Sequence, residues 1–375
     1  MSDATRTAPN VSAGDGRARA RARNLHPLAW WSWAFGLAVL AGSVTNPWLL
    51  LMVALVAGIV VTARRTEAPW ALGFRFYLWF ALVIVVLRVV FRVVLGGAGD
   101  TVLLDLPQLR LPEALGGAGL LGPMTLEALL AGLYDGMRLG AIIICIGAAN
   151  ALANPKRLLA ALPPALYEIG TAVVVALSVF PQLVESVQRV RRARRLRGDP
   201  GRGTGALRRV VVPVLEDALE RSMTLAAGMD ARGYGRRGHA GVRERAVTGG
   251  LLLAALGGLA VGVYAFLDSS APRLLAWPMI VLALCLAAVG FVAAGRRVER
   301  VRYRPDPWLR ADVLTAGCGV VVAVLSTRLQ SWAPGVVHPA LDALPPLAPV
   351  GVAVVLLAVL PAFLTPPPQL QGSLR

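Results

Sequence analysis

The chain is poor in the side chains from which enzymes build active sites. Its three histidines and three cysteines are scattered, and Lys156 is its only lysine. A Walker-type ATP-binding loop requires the sequence Gly-Lys-Ser/Thr, because the lysine reaches the β- and γ-phosphates, whereas Lys156 follows Pro155. Paired carboxylates, a nucleophile elbow and metal-ligand spacings are also missing from the sequence. We therefore expect no catalysis and no cofactor bound by this chain.

Charged residues are scarce as well. They make up 16% of the 375 residues, against 56% hydrophobic residues, and the mean hydropathy is +0.64. Soluble domains average about 25% charged residues. The apolar residues form repeated runs at or above the roughly 18 residues that a membrane span requires. These features predict an all-α polytopic membrane protein.

Acidic residues are outnumbered by basic ones. The chain has 21 acidic and 38 basic residues, which gives a net charge of +17, and all but one of the basic residues are arginine. Such an excess can indicate nucleic-acid binding, but no nucleic-acid recognition motif accompanies it. The arginines lie between apolar segments, where they are typical of cytoplasmic loops and of contacts with anionic lipid. We expect anionic lipid, and not nucleic acid, as a partner.

Eight apolar segments predict about eight transmembrane helices. They lie near 28–45, 48–63, 70–95, 126–152, 246–267, 274–295, 311–330 and 347–365. The loop between the third and fourth segments is rich in glycine, leucine and proline, and it is a candidate for a short interfacial helix.

The spans divide the chain into five regions. These are a disordered basic cytoplasmic tail (1–25), transmembrane helices 1–4 (26–157), two long cytoplasmic helices (158–240), transmembrane helices 5–8 (241–366) and a C-terminal tail (367–375). This arrangement places the N-terminus and every basic block on one face, as the positive-inside rule requires. Residues 165–181 are apolar enough to be a short span, but a crossing there would separate the basic blocks. We therefore expect this segment to lie at the cytoplasmic membrane surface.

Two helix-like segments of the central region end in an Arg-Gly pair. The stretches are Ala231-Arg232-Gly233 and, upstream, Leu196-Arg197-Gly198. Gly233 suits the C′ position, at which many helices end in a left-handed residue, and Arg232 suits the negative end of the helix dipole. An arginine held there presents a rigid fork of donors to a carboxylate. The two ends indicate docking of a soluble partner, with a lipid-binding patch as the alternative.

The second of these helices, predicted over 206–232, has an apolar stripe at helical spacing. Its members are Val211, Leu215, Ala218, Ser222, Leu225 and Met229. Charged positions, which include Asp217 and Arg221, fall largely on the opposite face. We predict that the apolar face packs across the first helix, predicted over 165–198, and that small residues such as Ala226 allow close approach.

Charged residues also occur inside the predicted spans. The set of interest is Arg88, Arg92, Asp135 and Arg138. Such residues are costly in a bilayer and often line a transport path, which is one interpretation. In the other, Arg88 and Arg92 extend toward a membrane interface, and Asp135 and Arg138, three residues apart on one helix, form a structural pair. We favour the second interpretation.

The stretch from Met223 to Tyr234 resembles the signature of the T component of energy-coupling factor (ECF) transporters, the CbiQ/EcfT family. That family has two Ala-Arg-Gly-type motifs at the ends of cytoplasmic coupling helices. Ala231-Arg232-Gly233 matches the second motif, and Leu196-Arg197-Gly198 resembles the first with leucine in place of alanine, so that Arg194 or Arg195 could share the role of Arg197. Further resemblance lies at Leu25-His26-Pro27, Arg138-Leu139, Asn154-Pro155 and Phe180-Pro181-Gln182-Leu183. It extends over about residues 25–266.

The resemblance implies a multi-pass subunit of the plasma membrane that couples ATP hydrolysis to uptake. In the family, two ABC-type ATPase subunits bind the two arginine-bearing helix ends, and these partners, not the T component, bind ATP. A separate membrane S component captures a vitamin or metal ion. Two other classes of function stay open: a stand-alone secondary transporter or channel, and a membrane scaffold whose basic region binds lipid or a regulator.

Overall fold

A computed structural model describes most of the chain between the two predicted tails. The described residues are 25–66, 71–95, 99–105, 109–110, 119–120, 122–198, 204–234, 241–268, 272–296, 307–341 and 343–366. The tails predicted at 1–25 and 367–375 lie outside these residues, apart from Leu25.

The described residues are predominantly α-helical. The helices are α1 (Pro27–Ser43), α2 (Pro47–Arg64), α3 (Phe74–Leu95), α4 (Leu126–Leu152), α5 (Pro155–Ala160), α6 (Tyr167–Leu196), α7 (Thr204–Ala231), α8 (Val242–Leu267), α9 (Arg273–Gly295), α10 (Arg310–Trp332), α11 (Pro334–Val337), α12 (Pro349–Leu357) and α13 (Leu360–Leu364). The predicted class, an all-α polytopic membrane protein, is confirmed.

Within the described part of the chain, seven helices are long and apolar enough to cross a membrane. They are α2, α3, α4, α6, α8, α9 and α10. The first predicted span, α1, is 17 residues long, and the last is a shorter apolar stretch, Pro349–Leu364, which contains α12 and α13. Helix α6 also qualifies by length and composition, so its location at the membrane surface stays a prediction.

The loop between α3 and α4 contains strands where the sequence indicated a short helix. Strand β1 (Val102–Asp105) pairs antiparallel with β4 (Pro123–Thr125), and β2 (Leu109–Arg110) pairs with β3 (Gly119–Leu120). No helix occurs among the described residues of this loop. In the described part of the loop, pairing satisfies the backbone donors and acceptors of the extended segments.

The helices form two compact units, residues 1–158 with 306–375, and residues 159–305. In the first unit, α1, α2 and α4 surround a core of large apolar side chains. The largest fully buried ones include Trp33, Leu37, Leu40, Leu49, Leu50 and Leu329. Because Leu329 belongs to α10, the C-terminal helices contribute to the same core as the N-terminal ones.

Helix α10 and the segment after it pack closely on α1 and α2. A methyl group on Gly36 of α1 would collide with the backbone of Gly319 in α10. Hydrogen bonds reinforce the contact: the Trp33 indole N–H donates to the carbonyl of Ala358 at 2.9 Å, and the Asn46 amide donates to the carbonyl of Pro346 at 2.8 Å. The C-terminal segment is therefore an integral part of this unit.

In the second unit, α8 and α9 pack along each other through small residues. A Cβ atom on Gly262 would lie 2.7 Å from the Ile280 Cγ1 atom, and one on Gly290 would lie 2.9 Å from the Leu252 Cδ2 atom. Small residues let helix backbones approach closely, which is how membrane helices gain packing energy without a hydrophobic driving force.

Replacing Gly319 by alanine should weaken the contact between α1 and α10. The new methyl group would meet backbone atoms of Ser32 and Trp33, which cannot move aside as a flexible side chain can. We expect a loss of about 1–3 kcal/mol in the free energy of unfolding, as for other overpacked sites, measured by thermal unfolding in detergent.

The matched control is Gly317→Ala on the same helix, where nothing lies within 4 Å of the added Cβ atom. This variant should be neutral or slightly stabilised, because alanine favours helix over glycine. Equal melting temperatures for the two variants would contradict the proposed close packing.

Candidate functional site

The upstream Arg-Gly pair forms the C-terminal cap of α6. Arg197 is the C-cap residue, and its N–H donates to the carbonyl of Ala193 at 3.2 Å. Gly198 follows with a φ of +72°, and its N–H donates to the carbonyl of Arg195 at 3.1 Å. A left-handed residue suits glycine because it lacks the Cβ atom that would clash in that conformation.

The downstream pair caps α7 in the same manner. Gly233 has a φ of +79°, and its N–H donates to the carbonyl of Asp230 at 2.9 Å. The N–H of Tyr234 donates to the carbonyl of Met229 at 3.1 Å. These two bonds together define the Schellman motif, and they confirm that Gly233 is the C′ residue of this helix.

Each cap places an arginine side chain at the surface next to a left-handed glycine. Arg197 and Arg232 are both exposed, and neither makes an ion pair with any residue in the described ranges. Leu196, beside the first arginine, is 89% exposed. Each of these exposed guanidinium groups, held on a rigid helix end, can donate hydrogen bonds to a carboxylate of another protein.

The two neighbouring arginines of the first cap differ in exposure. Arg195 is exposed, whereas Arg194 is half-buried. Among the three candidates at this end, Arg197 occupies the same position relative to its glycine as Arg232 does at the other end, so its geometry resembles the second cap most closely.

Helices α6 and α7 contact each other through a polar cluster. The Ser186 hydroxyl donates to the Asp217 carboxylate at 2.6 Å, and the Arg221 Nε atom donates to the same carboxylate at 3.0 Å. An Nη2 atom of Arg189 lies 3.9 Å from it. The hydrogen bond from Ser186, followed by the bond from Arg221 and the charges of Arg221 and Arg189, lowers the pKa of Asp217 below its ordinary value.

This contact corrects the predicted packing of α7. Asp217 and Arg221, assigned to the outer face, lie toward α6, and Val214 is the apolar residue that is buried in the described part of this helix. Several residues of the predicted contact stripe are exposed: Leu215, Ser222, Leu225 and Ala226. The periodicity rule assumes that polar residues face water, and it fails here because a serine on α6 provides a hydrogen-bond partner for the carboxylate.

The charged residues inside the spans pair differently from the prediction. The Asp135 carboxylate of α4 lies 3.5 Å from an Nη2 atom of Arg92 on α3, and no ion pair with Arg138 is found in the described residues. Helices α3 and α4 approach closely, since a Cβ atom on Gly132 would lie 2.7 Å from the Arg92 Cγ atom. That approach brings Arg92 next to Asp135. Arg88, beside Gly136, is exposed.

Two of the motifs that carry the family resemblance meet at one end of the first unit. The Asn154 side chain accepts from the N–H groups of Lys156 and Arg157 and caps α5. The Arg157 guanidinium in turn donates to the carbonyl of Leu25 at 3.1 Å. His26 caps α1, and its N–H donates to the Asp312 carboxylate at 2.6 Å.

Sequence reasoning missed one polar contact that shapes this end of the unit. The Asn150 amide donates to the Tyr77 hydroxyl at 2.9 Å, between α4 and α3. The available signal was a single amide near the end of an apolar span. Across the described ranges, no group of three or more His, Cys, Asp or Glu side chains is arranged to hold a metal ion.

Comparison with known proteins supports the resemblance seen in the sequence. The family model for CbiQ, described as cobalt transport protein, matches residues 20–240, which is more than half of the chain. The matched range contains α1 to α7 and both Arg-Gly caps. A search of curated proteins finds no significant match.

Lowering the pH should loosen the contact between α6 and α7. Because the folded-state pKa of Asp217 is lowered, its ionised form stabilises the contact above the unfolded pKa of about 4, and this contribution is lost as pH falls through the folded pKa. We expect faster amide hydrogen exchange in α6 and α7 as the pH falls below the unfolded pKa of about 4, after correction for intrinsic exchange.

The variant Asp217→Asn should show little of this acid-dependent change. Its control is Glu216→Gln, because Glu216 is the exposed neighbour on the same helix and should leave the pH dependence intact. An unchanged profile in Asp217→Asn would assign the acid sensitivity to other groups.

Proposed function

Because this chain belongs to the CbiQ family of cobalt transport proteins, we propose that it is the transmembrane coupling (T) subunit of an ECF-type ABC importer. It is a non-catalytic, multi-pass subunit of the plasma membrane with a cytoplasmic N-terminus. Its partners are two ABC-type ATPase subunits, which bind ATP, and a membrane S component, which captures a vitamin or metal ion.

The observation that carries the proposal is the matched geometry of the two helix caps. Arg197 and Arg232 each precede a left-handed glycine, so two guanidinium groups are presented on the same local backbone. Two ABC-type ATPase subunits require two similar docking points, whereas a patch that attracts lipid by charge requires no particular backbone conformation at its arginines. The caps therefore favour docking into a carboxylate-bearing groove.

The alternative of a stand-alone channel or secondary transporter is less well supported. Helices α3 and α4 carry four arginines, one glutamate and one aspartate, and the aspartate is already paired with Arg92. The excess positive charge would repel a metal cation. A path for cations would instead need carboxylate or carbonyl ligands along the helices.

Removal of the Arg232 side chain should weaken ATPase binding. Truncation of a buried charge-assisted contact costs about 2–5 kcal/mol, so Arg232→Ala should lower the affinity for the ATPases at least about thirtyfold. Arg232→Lys should also bind poorly, because lysine cannot form the bidentate pair. Co-purification of ATPase subunits in mild detergent measures both effects, and Arg197→Ala should lose one of two subunits.

Arg208→Ala is the matched control, since Arg208 is an exposed arginine of α7 away from the cap. It should retain both ATPases. Normal ATPase binding by Arg232→Ala would disprove the docking role. If Arg232→Lys and Arg208→Ala bound equally well, the basic region would act as a diffuse charged patch.

The backbone of the cap can be tested without removing any charge. Gly233→Ala forces a Cβ atom into a left-handed conformation, which costs about 1–2 kcal/mol, so the cap should rearrange and misplace Arg232. ATPase binding should fall severalfold. Gly228→Ala, inside α7 with nothing within 4 Å of the added Cβ atom, should bind normally; equal binding by the two variants would show that docking does not depend on the cap.

A further inference from the structure

The two arginine caps belong to helices that contact each other over one limited stretch. On α6 the contact includes Ser186, which is only 3% exposed, and on α7 the apolar residue buried in the described part is Val214. Beyond this stretch α7 continues as an arm, residues 222–232, in which every residue except the half-buried Met229 is exposed. Because so little of the arm is covered, its direction depends on how α7 is held at the contact.

Asp217 holds α7 at this contact through both oxygens of its carboxylate. Arg221, on the same helix, donates to the Oδ1 atom at 3.0 Å and fixes the carboxylate relative to α7. Ser186 donates to the Oδ2 atom at 2.6 Å and connects it to α6, with Arg189 of that helix 3.9 Å from the same oxygen. Hydrogen bonds are directional, whereas the apolar contact is not. These four residues, which we call the polar joint, therefore set the orientation of α7 on α6.

The helical segments that run from the polar joint to the caps are uninterrupted by proline. Pro181 and Pro213, the prolines inside α6 and α7, both precede the joint. The segments 186–197 and 217–232 contain no proline. Because proline is the residue that most disrupts a helix interior, we expect each of these segments to move as one rigid piece.

The length of these segments magnifies any movement at the polar joint. At a rise of about 1.5 Å per residue, Arg232 lies about 22 Å and Arg197 about 16 Å from the joint along the helix axes. A rotation of α7 by about 10° would therefore displace Arg232 by about 4 Å. Charge-assisted hydrogen bonds require a donor–acceptor distance of about 2.7–2.9 Å, so such a displacement breaks the contact with a carboxylate.

We propose that Asp217 is a positioning residue, which sets the separation of the two arginine caps. The inference rests on the proposed function, because the separation matters only if both caps dock ATPases. Two ATPase subunits that work as a pair can engage both caps only at one separation. The polar joint holds the caps at that separation in advance, so the second subunit binds without first ordering the helices.

The first measurement needs no partner. It uses the purified full-length chain with its three native cysteines replaced by alanine, and with spin labels attached through Ala193→Cys on α6 and Ala227→Cys on α7. Both alanines are exposed, and they lie on the C-terminal sides of Ser186 and Asp217. Double electron–electron resonance gives the distribution of distances between the two labels, for which we expect a single narrow peak.

Asp217→Ala should at least double the width of this distribution, because the bond from α6 is lost. Ser186→Ala should also widen it, and the double variant should be no wider than Asp217→Ala alone, since both changes remove the same bond. Glu216→Ala is the matched control, because it removes an exposed carboxylate at the next position and should leave the distribution unchanged. Thermal unfolding checks that all of these variants are folded.

The second measurement uses the ATPase subunits that co-purify with the wild-type chain. Native mass spectrometry at increasing ATPase concentration gives separate affinities for the first and the second subunit. Asp217→Ala should leave the first affinity unchanged and lower the second at least about fivefold, the lower end of a typical coupling between two sites. Asp217→Asn should recover part of this loss, because its amide oxygen can still accept from Ser186.

Three results would overturn the inference. Equal distance distributions in Asp217→Ala and Glu216→Ala would show that the polar joint does not orient the helices. A widened distribution with an unchanged second affinity would show that the ATPases do not require one separation. Equal loss of both affinities would indicate damage to the caps themselves. The coupling proposal fails by a different result, normal ATPase binding by Arg232→Ala, so the two failures are distinguishable.

Discussion

An α-helix ends with carbonyl groups that its own ladder cannot satisfy, and this constraint organises the candidate coupling site. At the ends of α6 and α7, a left-handed glycine turns the chain back, so that following N–H groups bond the last carbonyls. The residue before the glycine is then fixed in direction, and in both helices it is an arginine. The same Arg-Gly pair therefore caps the helix and presents a guanidinium group in a fixed direction. The polar contact at Asp217 connects the two helices that carry these caps.

Helix α4 connects the remaining parts of the membrane unit because its faces differ in side-chain size. Glycines at 132, 136 and 140 lie against α3, and alanines such as Ala141 and Ala148 lie in the core shared with α1 and α2. Short side chains on both faces let α1, α2 and α3 approach α4 closely. The same close approach decides which charges meet inside the spans, because it brings Arg92 next to Asp135.

The sequence predicted features that depend on one segment alone, and it failed where two segments must be known together. Apolar runs and the glycine at 233 were interpreted correctly, because span length and the left-handed cap are local properties. The partner of Asp135 was wrong, since Arg92 reaches it only through the glycine contact between α3 and α4. The face of α7 was also wrong, because Ser186 on another helix provides the hydrogen bond for Asp217. The packing of the C-terminal helices on α1 depends on a contact between Gly36 and Gly319. Neither segment taken separately indicates this contact.

The bond from the His26 N–H to Asp312 joins residues that are 286 positions apart. During synthesis at about 5–20 residues per second, roughly 15–60 s pass between the appearance of the two partners. Helices α6 and α7, with both caps, are complete before α10 exists. The face of α1 that later holds Gly319 must meanwhile be covered by lipid or by an insertion factor. Because the chain is synthesised from its N-terminus, α1 is made early but is one of the last helices to reach its final packing contacts.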